Sequence, residues 1–339
     1  MKKTVYLNER DSFLYHGRHL FFSNMLLLDW SGSGFSFNFK GTGFNIFFGE
    51  HSGEQPVYIR VEVDGGGKCG ILPAAISGSS ARFAVSDGKE RVVIDGLSDR
   101  RHTVRVIRIT EGADKLCVRG VEIDGEMLPP PLESVRRIEF LGDSITCGYG
   151  ILGDESTTAF NTYEEDSSLA WAYTVAEKFG ADAHFECISG KGIVCNCEGA
   201  QDITFSKFFQ IASRGGEPWN FASWVPQAVV INGGTNDGWG GATAEQFEQG
   251  ASELISLIRS KYTYAQIIWC YGLMGDVFMP VLKKLFKKLG ESDQKLHLLP
   301  LAPLNPKKGE IGGVGHPSIK ANNRVASAVI AKLKSLKIW

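Results

Sequence analysis

The chain has 339 residues, more than a typical single domain, which predicts two. Hydrophobic residues make up 43% and charged residues 22%, a soluble globular composition, and a formal net charge of −2 without a long basic run excludes nucleic acid as the expected partner. No apolar run is long enough to span a bilayer and none follows the basic start Met1-Lys2-Lys3, so the expectation is a cytoplasmic chain with no membrane partner.

Residues 1–131 read as all-β. Phe35-Ser36-Phe37-Asn38-Phe39 and Gly43-Phe44-Asn45-Ile46-Phe47-Phe48 alternate or nearly do, as does Tyr58-Ile59-Arg60-Val61-Glu62-Val63-Asp64, which runs into the glycine turn Gly65-Gly66-Gly67. Arg91–Ile94 and His102–Ile109 continue the pattern. Period-two runs between turn residues predict an antiparallel sandwich, most simply a jelly roll, with one wet face per sheet. Pro129-Pro130-Pro131 cannot lie inside a sheet and marks a stiff linker.

From residue 132 to 339 strands alternate with helices. The strands read as Arg137–Leu141, Ala183–Ile188, Ala228–Asn232, Ile267–Tyr271 and Leu296–Leu301, the helices as Ser168–Phe179, Thr243–Lys261, Phe278–Leu289 and Ser318–Leu336. Phe247, Ala251, Leu254, Ile255 and Ile258 form one apolar helical stripe, whereas Lys283-Lys284 and Lys287-Lys288 read as a solvated face. This order predicts an α/β domain, a five-stranded parallel sheet of flavodoxin-like order with helices on both faces.

In such a sheet all strand C-terminal ends lie along one edge, where ligands bind. Four polar features reach that edge from distant parts of the chain: Ser144 after the first strand, Gly190 after the second, Gly234-Thr235-Asn236-Asp237 after the third, and Gly315-His316-Pro317-Ser318 before the last helix. Ser144 can attack an acyl carbon if a base removes its proton, and a histidine titrates near the operating pH. The Asn236 amide and the backbone N–H groups of Ser144 and Gly190 can stabilise the resulting oxyanion. Ser318 can cap the last helix and so fix the His316 loop. This chemistry requires neither metal nor organic cofactor.

These blocks, beginning with Gly142-Asp143-Ser144, resemble the SGNH/GDSL hydrolases, whose four motif residues correspond in order to Ser144, Gly190, Asn236 and His316. Tyr15-His16-Gly17-Arg18, Asp29-Trp30-Ser31-Gly32-Ser33 and Phe39-Lys40-Gly41-Thr42-Gly43 resemble the N-terminal domain of carbohydrate esterase family 2. The resemblance implies a jelly roll before an SGNH domain, and removal of acetyl groups from the hydroxyls of a mono-, oligo- or polysaccharide. One position departs: SGNH enzymes usually carry Asp three residues before the catalytic histidine, and here that residue is Gly313. The resemblance implies a Ser-His dyad whose ring is held by a backbone carbonyl, with Glu310 or Asp276 as replacement acids to be considered. A short-acyl lipase or thioesterase of the same superfamily, and a carbohydrate-binding protein with a decayed site, are the alternatives.

Other residues weigh differently. Gly148-Tyr149-Gly150-Ile151-Leu152-Gly153 matches a dinucleotide fingerprint literally but leads into no helix, so a turn beside the active site is expected. Asp143 and Asp237 read as acceptors for loop amides, with Asp143 and Gly192 also considered for substrate binding. Trp239 is expected in a glycine-rich loop as a platform for a sugar ring, and Trp219 and Trp224 in the core. His184 reads as a scaffold histidine. The seven cysteines suit no disulfide framework, and Cys187, Cys195 and Cys197 lack zinc spacing, so no metal is expected.

Overall fold

A computed structural model describes residues 2–49, 54–65, 79–86, 91–111 and 115–339. Gly66 and Gly67 of the expected glycine turn lie outside these residues. The chain divides into two compact units, Met1–Glu133 and Ser134–Trp339.

The first unit is antiparallel. Its strands are Lys2–Tyr6 (β1), Leu14–His16 (β2), Leu20–Phe22 (β3), Met25–Leu28 (β4), Gly34–Phe48 (β5), Val57–Val63 (β6), Ser79–Val85 (β7), Arg91–Ile94 (β8), Arg100–Arg108 (β9) and Leu116–Leu128 (β10). They join in one ten-stranded sheet in which β5 pairs with β2, β8, β9 and β10. The sequence suggests two strands around Lys40-Gly41-Thr42, but the chain continues through. Gly41 faces Gly125 of β10 at a register shift, and a Cβ on either would lie 2.0 Å from a carbonyl oxygen of the other strand. Two glycines back to back therefore let the strand bend without breaking.

Nor does β5 keep the expected wet face, because Gly34 to Phe39 are all buried. Phe35, Phe37, Phe39 and Phe44 form the aromatic centre of the core, with Phe37 and Phe44 edge to face at 5.4 Å. The intervening polar side chains are paired instead of solvated: Asn38 Nδ2 donates to Pro129 O and its Oδ1 accepts from Thr103, while Ser36 Oγ lies 2.6 Å from His16 Nε2.

The second unit contains the parallel sheet Arg137–Gly142 (β11), Asp182–Cys187 (β12), Ala228–Asn232 (β13), Gln266–Tyr271 (β14) and Leu296–Pro300 (β15), in the order β12-β11-β13-β14-β15. This is the flavodoxin-like order. Its helices are Ser144–Cys147 (α1), Trp171–Phe179 (α2), Phe205–Phe208 (α3), Thr235–Trp239 (α4), Ala244–Lys261 (α5), Met279–Gly290 (α6) and Ile319–Ser335 (α7). The four longer ones fall where the apolar periodicity places them; one-turn helices such as α1, α3 and α4 have no period to read.

Helix α5 opens with a capping box between Thr243 and Gln246 and buries Phe247, Ala251, Leu254, Ile255 and Ile258. Helix α2 has Ala170 at its N-cap and so lacks a side-chain cap of its own. Asn322 on α7 supplies one, accepting from the Trp171 N–H at 3.0 Å while its amide donates to the carbonyls of Pro317 and Ser318. No helix among the described residues is long and apolar enough to cross a membrane.

Candidate active site

Strand β11 ends at Gly142, where a Cβ would meet Thr146 Oγ1 at 2.0 Å, so only glycine lets the chain turn directly into α1. Asp143 is the N-cap, its Oδ1 accepting from the Ile145 N–H at 3.0 Å. Ser144 is thus the first residue of a one-turn helix, where the backbone N–H has no intrahelical acceptor. Gly148, in the left-handed conformation, ends that helix.

His316 arrives from a different loop. Gly312 N–H donates to His316 O, Gly313 N–H to Gly150 O at 2.8 Å, and Val314 N–H to Thr157 O at 3.0 Å. Ser318 caps α7. The result brings His316 Nε2 to 2.9 Å from Ser144 Oγ across 172 residues of sequence. Both residues are buried yet each keeps 8% of its surface exposed, so the pair is not sealed from a ligand.

The other ring nitrogen, Nδ1, lies 3.0 Å from Val314 O. A carbonyl only accepts, so Nδ1 carries the proton and Nε2 is left with its lone pair toward the serine hydroxyl. Burial pushes the His316 pKa below its ordinary value, against the opposing pull of the Val314 carbonyl. Val314 itself has φ 53° and ψ 33°, left-handed backbone that a β-branched residue rarely adopts.

Neither candidate acid replaces the missing aspartate. Glu310 is engaged by Arg324 Nε at 2.8 Å and Nη2 at 2.9 Å, which together with the Asn305 amide hold its carboxyl below the usual range. Asp276 is exposed and its carbonyl closes a turn with the Met279 N–H. Gly313 has a packing reason to be glycine: a Cβ there would meet Gly150 O at 3.2 Å and Glu164 Oε2 at 3.3 Å.

Gly190 lies on the loop after β12 with φ 77°, its carbonyl accepting from Cys197 N–H. Asp237 holds that loop, accepting from the amides of Ile193, Val194 and Cys195 at 2.7 to 3.1 Å. Burial raises its carboxyl above the ordinary value despite those three donors. Gly192, considered for substrate, is spent inside the loop: its N–H donates to Asn196 Oδ1, and a Cβ would lie 2.0 Å from Cys195 O.

Asn236 sits in α4, its Nδ2 donating to Lys191 O at 2.8 Å and to Asp143 Oδ2 at 3.2 Å. Asp143 therefore turns one oxygen to Ile145 and the other to Asn236, a scaffold arrangement. Trp239 lies in that same short helix instead of a glycine-rich loop, three residues after Asn236 and so on the same face. It is 60% exposed, which rules out a core role.

Trp224 is buried and stacks on His184 at 3.6 Å, with its indole N–H donating to Asp182; Trp219, half-buried, meets His184 edge on. His184 is buried within β12 as expected. Cys195 donates to Gly240 O and Cys197 to Glu198, and with Cys187 they share no metal-ligand cluster among the described residues. The turn expected beside the site brings the Tyr149 ring to 4.4 Å from the His316 ring, and Phe160, which the sequence did not single out, stacks on Tyr149 at 4.3 Å. No spacing rule links positions 149, 160 and 316.

A serine at the end of the first strand, a histidine on the last loop and a flavodoxin-like sheet are features of acyl hydrolases, and the chain belongs to the GDSL-like Lipase/Acylhydrolase family, which it matches over residues 140–333. Residues 15–131 match the carbohydrate esterase 2 N-terminal domain. Cellulase/esterase CelE of Acetivibrio thermocellus is 28% identical over 337 residues, covering 96% of this chain and 40% of that protein. An acetylxylan esterase / glucomannan deacetylase of Cellvibrio japonicus is 31% identical over 159 residues, 44% of this chain and 43% of its own length. The chain thus aligns with about two fifths of the length of these curated relatives. Among solved structures, a family two carbohydrate esterase from Clostridium thermocellum in complex with cellohexaose superposes with a TM-score of 0.85 at 26% identity, over 96% of this chain and 100% of that one.

Proposed function

We propose that the chain is a serine esterase that removes acetyl groups from O-acetylated carbohydrates through an acyl-enzyme, with Ser144 and His316 acting as a dyad. The observation that carries this reading is the 2.9 Å separation of His316 Nε2 from Ser144 Oγ, with Nδ1 held by a carbonyl. The named activities of the relatives favour an acetylated saccharide, and the exposed Trp239 offers it an apolar face.

Ser144 Oγ attacks the acetyl carbon as Nε2 takes its proton, giving an imidazolium and a tetrahedral oxyanion. The Ser144 and Gly190 N–H groups receive that oxyanion, with Asn236 Nδ2 joining them by turning one hydrogen away from its resting acceptors. Collapse expels the sugar hydroxyl, which leaves with the proton from Nε2. Water then attacks the acetyl-serine with His316 again as base, and acetate departs. The imidazolium is stabilised by its Nδ1–H bond to Val314 O.

A hydrolysis screen on aryl acetate and on acetylated xylose, glucose and mannose derivatives tests the reading. Wild type is expected to release acetate from at least one sugar, and Ser144→Ala to lose that turnover while still binding the sugar. Turnover that increases as the acyl chain lengthens beyond about three carbons would instead indicate a lipase or thioesterase.

A further inference from the structure

The acyl-transfer reading leaves Gly148–Gly153 and Phe160 without a task, although they surround the base. A single Nδ1···O=C bond fixes one direction of an imidazole but leaves the ring free to swing about that axis. A carboxylate in the usual position would add charge and a second oxygen. Here something else must stop the swing.

We propose that Tyr149, backed by Phe160, is a positioning residue for His316 and supplies, with the Val314 carbonyl, the orientation that an aspartate provides in a triad. The Tyr149 and His316 rings lie 4.4 Å apart between centroids at 38°, and the Phe160 and Tyr149 rings 4.3 Å apart at 17°. Two rings cannot share one face of Tyr149 at those separations, so Tyr149 is sandwiched and presses a supported flat surface against the imidazole. The carbonyl then governs rotation within the imidazole plane and the tyrosine governs its tilt.

The glycine run explains how this contact is made. A Cβ on Gly150 would lie 2.3 Å from Gly313 O, and one on Gly153 2.8 Å from Gly313 Cα. Gly150 O also accepts from Gly313 N–H at 2.8 Å. The turn that carries Tyr149 is thus fastened backbone to backbone to the loop that carries His316, and the two rings move as one body. An aspartate at 313 and this turn compete for the same space.

This inference rests on the esterase reading, so its test includes a readout that needs no turnover. The variants are Tyr149→Phe, Tyr149→Leu and Phe160→Leu, each checked for folding by thermal melting, with kinetics on aryl acetate and the ¹⁵N signals of His316 as measurements. Tyr149→Phe keeps the ring and is expected to retain wild-type kcat. Tyr149→Leu is expected to lose about 10- to 100-fold in kcat with KM unchanged, the scale of a misplaced catalytic group. Its His316 signals are expected to move from one Nδ1-protonated tautomer toward an averaged pair. Phe160→Leu should show the same changes, smaller. A Tyr149→Leu protein with wild-type kcat and a single tautomer overturns the proposal, as does a loss confined to KM or a Tyr149→Phe protein equally impaired. If Tyr149→Leu does not fold, Phe160→Leu decides by the same criteria. Wild type without esterase activity sinks the esterase reading alone, because the tautomer signals still report whether Tyr149 holds the ring.

Discussion

The carbonyl oxygen of Val314 accepts a hydrogen bond from a side chain two residues further along, Nδ1 of His316, at 3.0 Å. The imidazole is therefore oriented by a backbone dipole, which does not titrate.

The pH dependence follows from the burial of that ring. Nε2 acts as a base only when neutral, and burial lowers the His316 pKa from its ordinary value of 6.5. Lowering the pH protonates the ring, and a depressed pKa moves that loss to lower pH. The acid limb of kcat/KM is expected to have its midpoint below 6.5, with activity near plateau at neutral pH; a midpoint at or above 6.5 contradicts the burial argument.

Val314 adopts φ 53°, a conformation open to glycine but closed to proline. Val314→Gly relieves left-handed strain while losing side-chain contacts and gaining unfolded-state entropy, so stability should change by about 1 kcal/mol or less. Its carbonyl stays in place and turnover should survive. Val314→Pro must turn the carbonyl away and also loses the bond to Thr157 O, so turnover should fall by two orders of magnitude or more, roughly the scale of a misoriented base. Equal activity in the two variants would show that this carbonyl is dispensable.

Restoring the absent acid should harm the enzyme. In Gly313→Asp the new Cβ meets Gly150 O at 3.2 Å and Glu164 Oε2 at 3.3 Å, setting one carboxylate beside another. Lower turnover and a lower melting temperature are expected together. A gain in kcat would mean that the loop can reopen to accept a triad.

Asp237 gathers the backbone amides of Ile193, Val194 and Cys195 at 2.7 to 3.1 Å. Asp237→Ala leaves buried donors unmatched and should destabilise the fold by on the order of 3 kcal/mol, measured by denaturant unfolding. Because the same loop carries Gly190, kcat should fall as well, even below the melting transition. A stable variant with intact kcat would show that the loop holds itself.

Trp239, exposed and one helical turn from Asn236, is expected to serve the sugar and not the acyl group. Trp239→Ala should raise KM for an acetylated oligosaccharide by about tenfold, the scale of one lost aromatic contact, and leave kcat on aryl acetate unchanged. An unchanged KM would leave Trp239 outside the binding surface.

Much of this architecture was legible because strands covered by helices on both faces are short, continuous apolar runs, such as Val229-Val230-Ile231 and Ile267-Ile268-Trp269 between turn residues. Strand β10 was harder: its alternation in Val121-Glu122-Ile123-Asp124 is broken on either side, at Arg119-Gly120 and at Gly125, where its register against β5 shifts. Ser144 and His316 could be paired in advance because parallel topology sends both to one edge. The Val314 carbonyl could not, since a backbone group at positive φ has no letter in the sequence. The glycine run Gly148–Gly153 was expected beside the site, but nothing in its spacing marks the Tyr149 ring as the contact to His316.

Asn322 has a further consequence through its hold on α2 and on the carbonyls beside His316. Trp171 and the Pro317-Ser318 turn are far apart in sequence, yet one amide holds the start of α2 and the entry to α7. Loss of that one side chain would therefore unfasten two distant segments together.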